Sequence, residues 1–222
     1  MTRAVTLHAI YGGAFDPVHL GHLAVARAVR DALDATVALV PTGDPPHRAP
    51  ARAGAGDRLA MCELALRGER DLCVDARELR RRGPSYSIDT LAELRAERGA
   101  DAALAMVLGD DAFAGLAGWE RWTGLFELAH IVVASRPQHA RIPAVLAEAV
   151  APRLTTNAAD LHEAPAGRVL RLEIAPHPQS SSQIRARCAA GETLARWVPA
   201  AVEDYLAARG LYRDEVTATN GV

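Results

Sequence analysis

A chain of 222 residues, half of them hydrophobic and 23% charged, carries enough apolar side chain for one sizeable core, which excludes a disordered or fibrous protein. Its net charge of −2 and pI near 6.4 lack the basic excess of a bulk nucleic-acid binder, while leaving room for a local basic pocket. Three widely separated cysteines, Cys62, Cys73 and Cys188, speak against a disulfide framework or a structural zinc site and fit a reducing compartment, the cytoplasm.

The N-terminus has one basic residue, Arg3, and runs into a strand-like stretch without the apolar segment of a signal peptide. No run approaches the roughly 20 apolar residues of a membrane helix. Val5 to Tyr11 reads as a buried strand, and Leu20 to Leu33 as a helix with Val25, Val29, Ala32 and Leu33 among its apolar positions. Thr36 to Val40 is a second strand, stopped by Pro41. Asp57 is placed to N-cap a helix carrying Leu59, Cys62 and Leu66, and Ser87 to cap one carrying Ile88, Leu91 and Leu94. Leu72 to Val74, Ala103 to Leu108, Ile131 to Ala134 and Val169 to Ile174 read as further strands. Ser181 to Ala190 and Pro199 to Arg209 read as closing helices, with Gly191 and Gly210 at their C-terminal caps. The alternation predicts an α/β fold: a Rossmann-like, doubly wound, mostly parallel sheet with C-terminal helices, in one domain over residues 1–213. Asp214 to Val222 is small and polar and is expected to be a disordered tail. Arg80 to Arg82 reads as a solvated face.

In such a sheet, ligands bind in the loops at the carboxyl ends of the strands. The first of those loops reads Gly12-Gly13-Ala14-Phe15-Asp16-Pro17-Val18-His19-Leu20-Gly21-His22. Gly12 and Gly13 allow a sharp turn and close approach of a phosphate, and Pro17 fixes the loop before the helix. His19 and His22, three apart, share a face of the first helical turn, where the helix N-terminus adds partial positive charge and free N–H groups. Gly21 removes bulk where a purine could lie. Two surface histidines after an ordinary turn would be the bland alternative, but the whole string between a strand and a helix points to a phosphate cradle with two imidazoles aimed into it. Ser180, Ser181 and Ser182 with Arg185 form a second helix start suited to an anion, ordinary N-capping being the alternative. Gly109 and Asp111, after a strand, could meet ribose hydroxyls, or an aspartate there could simply cap a helix. Taken singly, His47 and Arg48 could be solvated loop charges, Arg136 a surface cation, and Trp119 and Trp122 core. His8, His130, His139, His162 and His177 belong to no motif.

The eleven-residue string resembles the signature of the nucleotidyltransferase superfamily and, in detail, bacterial nicotinate-nucleotide adenylyltransferases. The other motifs of that family follow in order: Pro45-Pro46-His47-Arg48, Ser85-Tyr86-Ser87-Ile88-Asp89-Thr90-Leu91, Gly109-Asp110-Asp111 with Trp119, Ser135-Arg136-Pro137, Ser180-Ser181-Ser182-Gln183-Ile184-Arg185 and Gly210-Leu211-Tyr212-Arg213. The resemblance implies AMP transfer from ATP to nicotinate mononucleotide, giving deamido-NAD and pyrophosphate, with His19, His22 and Arg185 as the catalytic groups. It implies ATP contacts at Gly12, Gly13, Phe15, His19, His22, Gly109, Asp111, Ser180, Ser182, Ile184 and Arg185. It further implies acceptor contacts at His47, Arg48, Ser85, Tyr86, Ser87, Thr90, Trp119 and Arg136. Mg²⁺ is expected on the ATP phosphates, without a protein cage of its own. Two departures stand out: Gln179 and Ser182 replace the isoleucine and threonine of the serine motif, and Thr42-Gly43 stands where asparagine is frequent. Another adenylyl- or cytidylyltransferase of the superfamily, or a non-catalytic nucleotide-binding or RNA-binding module, are the alternatives. Intact His19, His22 and Arg185 and an acidic pI speak against the module. The sequence leaves the oligomeric state open.

Overall fold

Each apolar run is too hydrophobic to leave either of its faces in water, and a sheet covered on both sides satisfies all of them at once. The computed structural model describes residues 7–43, 50–135 and 142–213. Its strands are β1 (Leu7–Gly13), β2 (Ala35–Pro41), β3 (Leu72–Val74), β4 (Leu104–Gly109), β5 (His130–Ser135), β6 (Leu154–Thr155) and β7 (Val169–Glu173). Among the described residues they form one seven-stranded sheet in the order β3-β2-β1-β4-β5-β7-β6. The expected mostly parallel sheet is parallel in every described pairing. The two-residue β6 has no counterpart in the sequence reading; it is too short for a period to show.

The helices are α1 (Leu20–Leu33), α2 (Ala55–Ala65), α3 (Arg77–Arg80), α4 (Ser87–Arg98), α5 (Asp110–Ala114), α6 (Leu125–Leu128), α7 (Ala144–Val150), α8 (Asp160–Glu163), α9 (Ser181–Ala189) and α10 (Ala200–Arg209). Alternation along the strands divides the core. Leu7 and Ala9 of β1, Val37 and Leu39 of β2, and Ala105 and Val107 of β4 pack with Leu23, Ala26, Val29 and Leu33 of α1. Ile10, Val40, Leu104, Met106 and Leu108 pack on the opposite face with Ile88, Leu91 and Leu94 of α4. Each fully buried leucine or valine contributes roughly 1.5–3 kcal/mol relative to exposure. No described helix is long and apolar enough to cross a membrane.

Two helix starts differ from the sequence expectation. Gly54, not Asp57, is the N-cap of α2. Asp57 sits in the first turn, where its carboxylate accepts from the Tyr205 hydroxyl (2.8 Å) and pairs with Arg209, tying α2 to α10. Helix α4 begins at Ser87 itself; its N-cap is Tyr86, and no side chain closes the turn. The segment 214–222 lies outside the described residues.

Strand order reverses between β1 and β4, since β1 pairs with β2 on one side and β4 on the other. That reversal opens a crevice at the carboxyl ends of the two strands.

Candidate active site

The loop leaving β1 enters α1 through its two histidines. His19 is the N-cap, with extended backbone, and its Nδ1 accepts from the His22 N–H at 3.3 Å. The His22 Nδ1 accepts in return from the His19 N–H at 3.2 Å. This is a capping box built from imidazoles, and the rings stack with centroids 3.7 Å apart. Because both Nδ1 atoms accept, each neutral ring carries its proton on Nε2, leaving an N–H donor at its far end. Burial, with His177 nearby, lowers His19 to about 4. Burial and then His19 hold His22 well below the ordinary imidazole value. Both rings are therefore neutral donors near pH 7. A Cβ on Gly21 would come within 3.1 Å of the His19 ring, so this glycine admits the stacked imidazole. Phe15 holds a left-handed backbone (φ 47°), uncommon for a non-glycine residue. Its buried ring lies edge-on beneath His22 at 4.9 Å, and a Cβ on Gly13 would meet it at 3.0 Å.

Asp16 fixes the rest of the loop. Its carboxylate accepts from the Arg52 and Ala53 N–H groups (2.8 and 2.9 Å) and from the Tyr212 hydroxyl (2.7 Å). Burial and the Asp16 carboxylate push the Tyr212 phenol far up, so it stays a donor. The Asp16 carbonyl accepts from Arg185 Nη1 at 2.8 Å, while Arg185 Nη2 reaches the Ser182 hydroxyl at 3.3 Å. Ser181 donates to the Pro17 carbonyl at 3.0 Å, so α9 is bonded to the loop at two points. From the other side Arg58, 4% exposed, donates to the Ala14 and Thr42 carbonyls at 2.9 and 2.8 Å.

Next to this cradle, in the crevice between β1 and β4, lies a cavity of about 370 Å³. Ile10, Val40, Met106 and Leu108 supply an apolar part of its wall. Gly12, Gly13 and Thr42 border it from the β1 and β2 loops, Ser85, Tyr86, Ser87 and Thr90 from the start of α4, and Asp111 and Trp119 from beyond β4. The start of α4 turns an uncapped helix N-terminus toward this space, which favours a negative group. Thr90 is fully buried; its hydroxyl donates to Glu78 (2.8 Å) and accepts from Arg81. Ser85 Oγ is buried without a hydrogen-bond partner.

The structure thus gathers Gly12, Gly13, Ser85, Tyr86, Ser87, Thr90, Asp111 and Trp119 around one cavity, with His19 and His22 on the helix that follows its β1 loop. Gly109 is the exposed N-cap of α5; neither Asp110 nor Asp111 caps that helix. Ser180 caps α9 by accepting from the Gln183 N–H, and Ser182 is exposed beside Arg185. Two of the expected ATP contacts offer no side-chain surface: Ile184 is wholly buried in the core and Phe15 is 1% exposed, serving as a support for His22. Trp122 packs edge-on against Phe126 instead of on the cavity wall. His47, Arg48 and Arg136 lie outside the described residues. Asp16, Arg58 and Glu78 were not singled out from sequence. An acid inside a loop expected to hold phosphates was a signal for Asp16; Glu78 is hidden among the charges of Arg77-Glu78-Leu79-Arg80. Among the described residues, no cluster of three or more His, Cys, Asp or Glu side chains is arranged to hold a metal.

Residues 10–187 match the family model described as cytidylyltransferase-like. A protein of Stenotrophomonas maltophilia (strain K279a) named "Probable nicotinate-nucleotide adenylyltransferase" is 46% identical over 217 residues, covering 94% of this chain and 98% of that protein. One of the same name from Laribacter hongkongensis (strain HLHK9) is 50% identical over 214 residues, covering 94% and 96%. Among solved structures, Plasmodium falciparum nicotinic acid mononucleotide adenylyltransferase complexed with NaAD superposes with a TM-score of 0.70 at 15% identity, over 93% of this chain and 97% of that one. At that identity the likeness speaks for the fold.

Proposed function

We infer the reaction from one premise: the chain belongs to the cytidylyltransferase-like family, and within it to the nicotinate-nucleotide adenylyltransferases. It transfers the AMP part of ATP to nicotinate mononucleotide, giving deamido-NAD and pyrophosphate, a step of NAD biosynthesis. The observation that carries this reading is the pairing of two neutral imidazole donors at a helix N-terminus with a cavity at the β1–β4 crevice.

The acceptor phosphate attacks the α-phosphorus of ATP in line, and the bond to the leaving pyrophosphate breaks. The acceptor oxygen is already anionic, so the protein positions and neutralises instead of abstracting a proton. His19 and His22 direct Nε2–H groups at phosphate oxygens where charge grows. Their neutrality is compatible with donation, because the acceptor role of each Nδ1 fixes the proton on Nε2. Arg185 and Ser182 hold the triphosphate tail; the anchorage of Arg185 to the Asp16 carbonyl supports a position beside the loop. Gly109 and Asp111 face the ribose of ATP. His47 and Arg48 hold the acceptor phosphate, with Arg136 among the other acceptor contacts. Trp119 stacks on the pyridine ring, and the N–H groups and hydroxyl at Ser87 receive its carboxylate, which only accepts hydrogen bonds. The amide mononucleotide would turn a donor toward those donors, at about 1–3 kcal/mol for each group left unpaired.

The family's chemistry on ATP uses a divalent metal, and we assign Mg²⁺. The acid inside the phosphate loop, Asp16, already accepts from three donors, so the residues present fit a metal held by ATP and water. When bound there, Mg²⁺ would supply positive charge to the phosphate oxygens. We place the enzyme in the cytoplasm, where its free cysteines stay reduced.

Pyrophosphate release from ATP, measured with nicotinate mononucleotide, with the amide mononucleotide and with neither, tests the reading. Release is expected with the acid, with a far smaller kcat/KM for the amide. Release that ignores the mononucleotide would overturn it.

A further inference from the structure

The cavity carries a charge pattern that the chemistry above uses only at Asp111. Among the described residues on its wall are three acids, Glu78, Asp111 and Glu120, and no lysine or arginine. An acceptor with a phosphate and a carboxylate is anionic, so acids in its pocket are out of place unless part of the acceptor is positive. Nicotinate mononucleotide has such a part. Its ring nitrogen is bonded to the ribose and is a pyridinium, formally +1.

Asp111 and Glu120 are exposed, and water screens them. Glu78 is different. It is 6% exposed and shares the cavity wall with the apolar side chains of Ile10, Val40 and Met106. Its carboxylate accepts from the Thr90 hydroxyl at 2.8 Å and from the Gly43 backbone N–H. Burial pushes its pKa up, while those two bonds and the nearby Arg81 pull it back. Arg81 is not part of the cavity wall, and its guanidinium is bonded to Glu93 at 2.8 Å as well as to Thr90. A buried carboxylate in an apolar wall is costly unless a positive group comes to it, and in low dielectric such a pairing is worth more than at the surface.

We propose that Glu78 is the counter-charge for the pyridinium ring of the acceptor, so that the cavity selects a zwitterionic base: ring cation toward Glu78, ring carboxylate toward the first turn of α4. This rests on the reading of the acceptor as nicotinate mononucleotide. The two charges of the ring are then read by two walls of one cavity, and a neutral ring of the same shape satisfies only one of them. Loss of the Glu78 charge penalises the cationic ring alone, whereas loss of a merely structural hydrogen bond penalises every acceptor equally.

The experiment uses the full chain at saturating Mg-ATP and two acceptors: nicotinate mononucleotide, and its isostere with carbon in place of the ring nitrogen, a benzoate C-nucleotide that keeps the carboxylate but has an uncharged ring. In the unmodified enzyme the KM of the isostere should be about tenfold higher. Glu78→Gln keeps a carbonyl oxygen for Thr90 and Gly43 but removes the charge. It should raise the KM of nicotinate mononucleotide about tenfold and leave that of the isostere within about twofold. Equal shifts for both acceptors, or no shift for either, would overturn the proposal. Where the variant melts early, the comparison of the two acceptors in the unmodified enzyme decides alone, and equal KM values there also overturn it. Absence of any pyrophosphate release with nicotinate mononucleotide in the unmodified enzyme sinks the substrate reading and this proposal with it. A working enzyme without the charge preference sinks the proposal only.

Discussion

The two halves of the site are prepared in opposite ways. On the proposed phosphate side most polar groups are already engaged: His19 with His22, Asp16 with three donors, Arg185 with the Asp16 carbonyl, and Arg58 with two more carbonyls, although its Nε is buried without a partner. On the proposed acceptor side Thr90 and Glu78 are bonded to each other, but two groups wait. Ser85 Oγ is buried without a partner, and the first turn of α4 has no side-chain cap. A triphosphate is the same in every turnover and rewards a rigid cradle. The acceptor must be told apart from its relatives, and groups left unpaired until the right ligand arrives discriminate more strongly than groups already satisfied.

Replacements on the two sides should therefore fail differently. The largest effect is expected at the histidines. His22→Ala removes one donor to the transferring phosphate and should lower kcat by about 10²–10³. A folded variant with near-normal kcat would break the assignment of the phosphate side. Next comes Asp16→Ala, which leaves the Arg52 and Ala53 N–H groups and the Tyr212 hydroxyl without their acceptor. Its cost should be about 3–5 kcal/mol in denaturant unfolding, with a raised KM for ATP. A loss below about 1 kcal/mol would mean that the cradle is not held through this carboxylate.

Acid should find the same side. His19 titrates near 4 in the folded chain against 6.5 as a free imidazole. Between those values the unfolded chain binds the proton and the folded chain does not, so the share of stability carried by a neutral His19 should fall as pH drops from 6.5 toward 4 and level off below. The whole window amounts to about 3 kcal/mol. His19→Asn, which keeps an N-cap acceptor without a titrating ring, should flatten the slope of Tm against pH; an unchanged slope would show that this imidazole is not its source.

The smallest effect is expected on the acceptor side. A Cβ on Gly43 would stand 2.4 Å from the Glu78 carbonyl oxygen and 2.7 Å from Ser85 Oγ. Gly43→Ala must shift that contact, at about 1–3 kcal/mol. The KM for nicotinate mononucleotide should rise several-fold with that for ATP unmoved. A change confined to ATP would show that the halves are not separable in this way.

The strand pattern was legible because both faces of the sheet are buried, so strands such as Leu104 to Leu108 read as continuous apolar runs. Helix α1 was legible to the residue, from the position after His19 to Leu33. The short helices α3, α5, α6 and α8 were not, because four or five residues carry too little period. Asp57 and Ser87 misled as caps for a common reason: a polar residue near a helix start can serve a distant partner, as Asp57 serves Tyr205, or a cavity, as Ser87 does. The motifs on the cavity wall were legible as strings. The residues that hold those strings in place were harder to see, since Asp16 and Tyr212 stand far apart in sequence and only the folded chain shows that they bond. The Thr42-Gly43 departure gains a physical account in the same way: the missing side chain admits the Glu78 main chain and Ser85.

The bond between Asp16 and Tyr212 also bears on how the enzyme is made. A ribosome synthesises Asp16 early and Tyr212 nearly two hundred residues later, after both core faces have had their strands delivered. Until Tyr212 has left the exit tunnel, the loop that we propose to receive ATP lacks a hydroxyl donor to Asp16, and Arg185 on α9 arrives only shortly before. A nascent chain can fold much of its sheet during translation and still lack the hydroxyl that completes the hydrogen bonds of this loop.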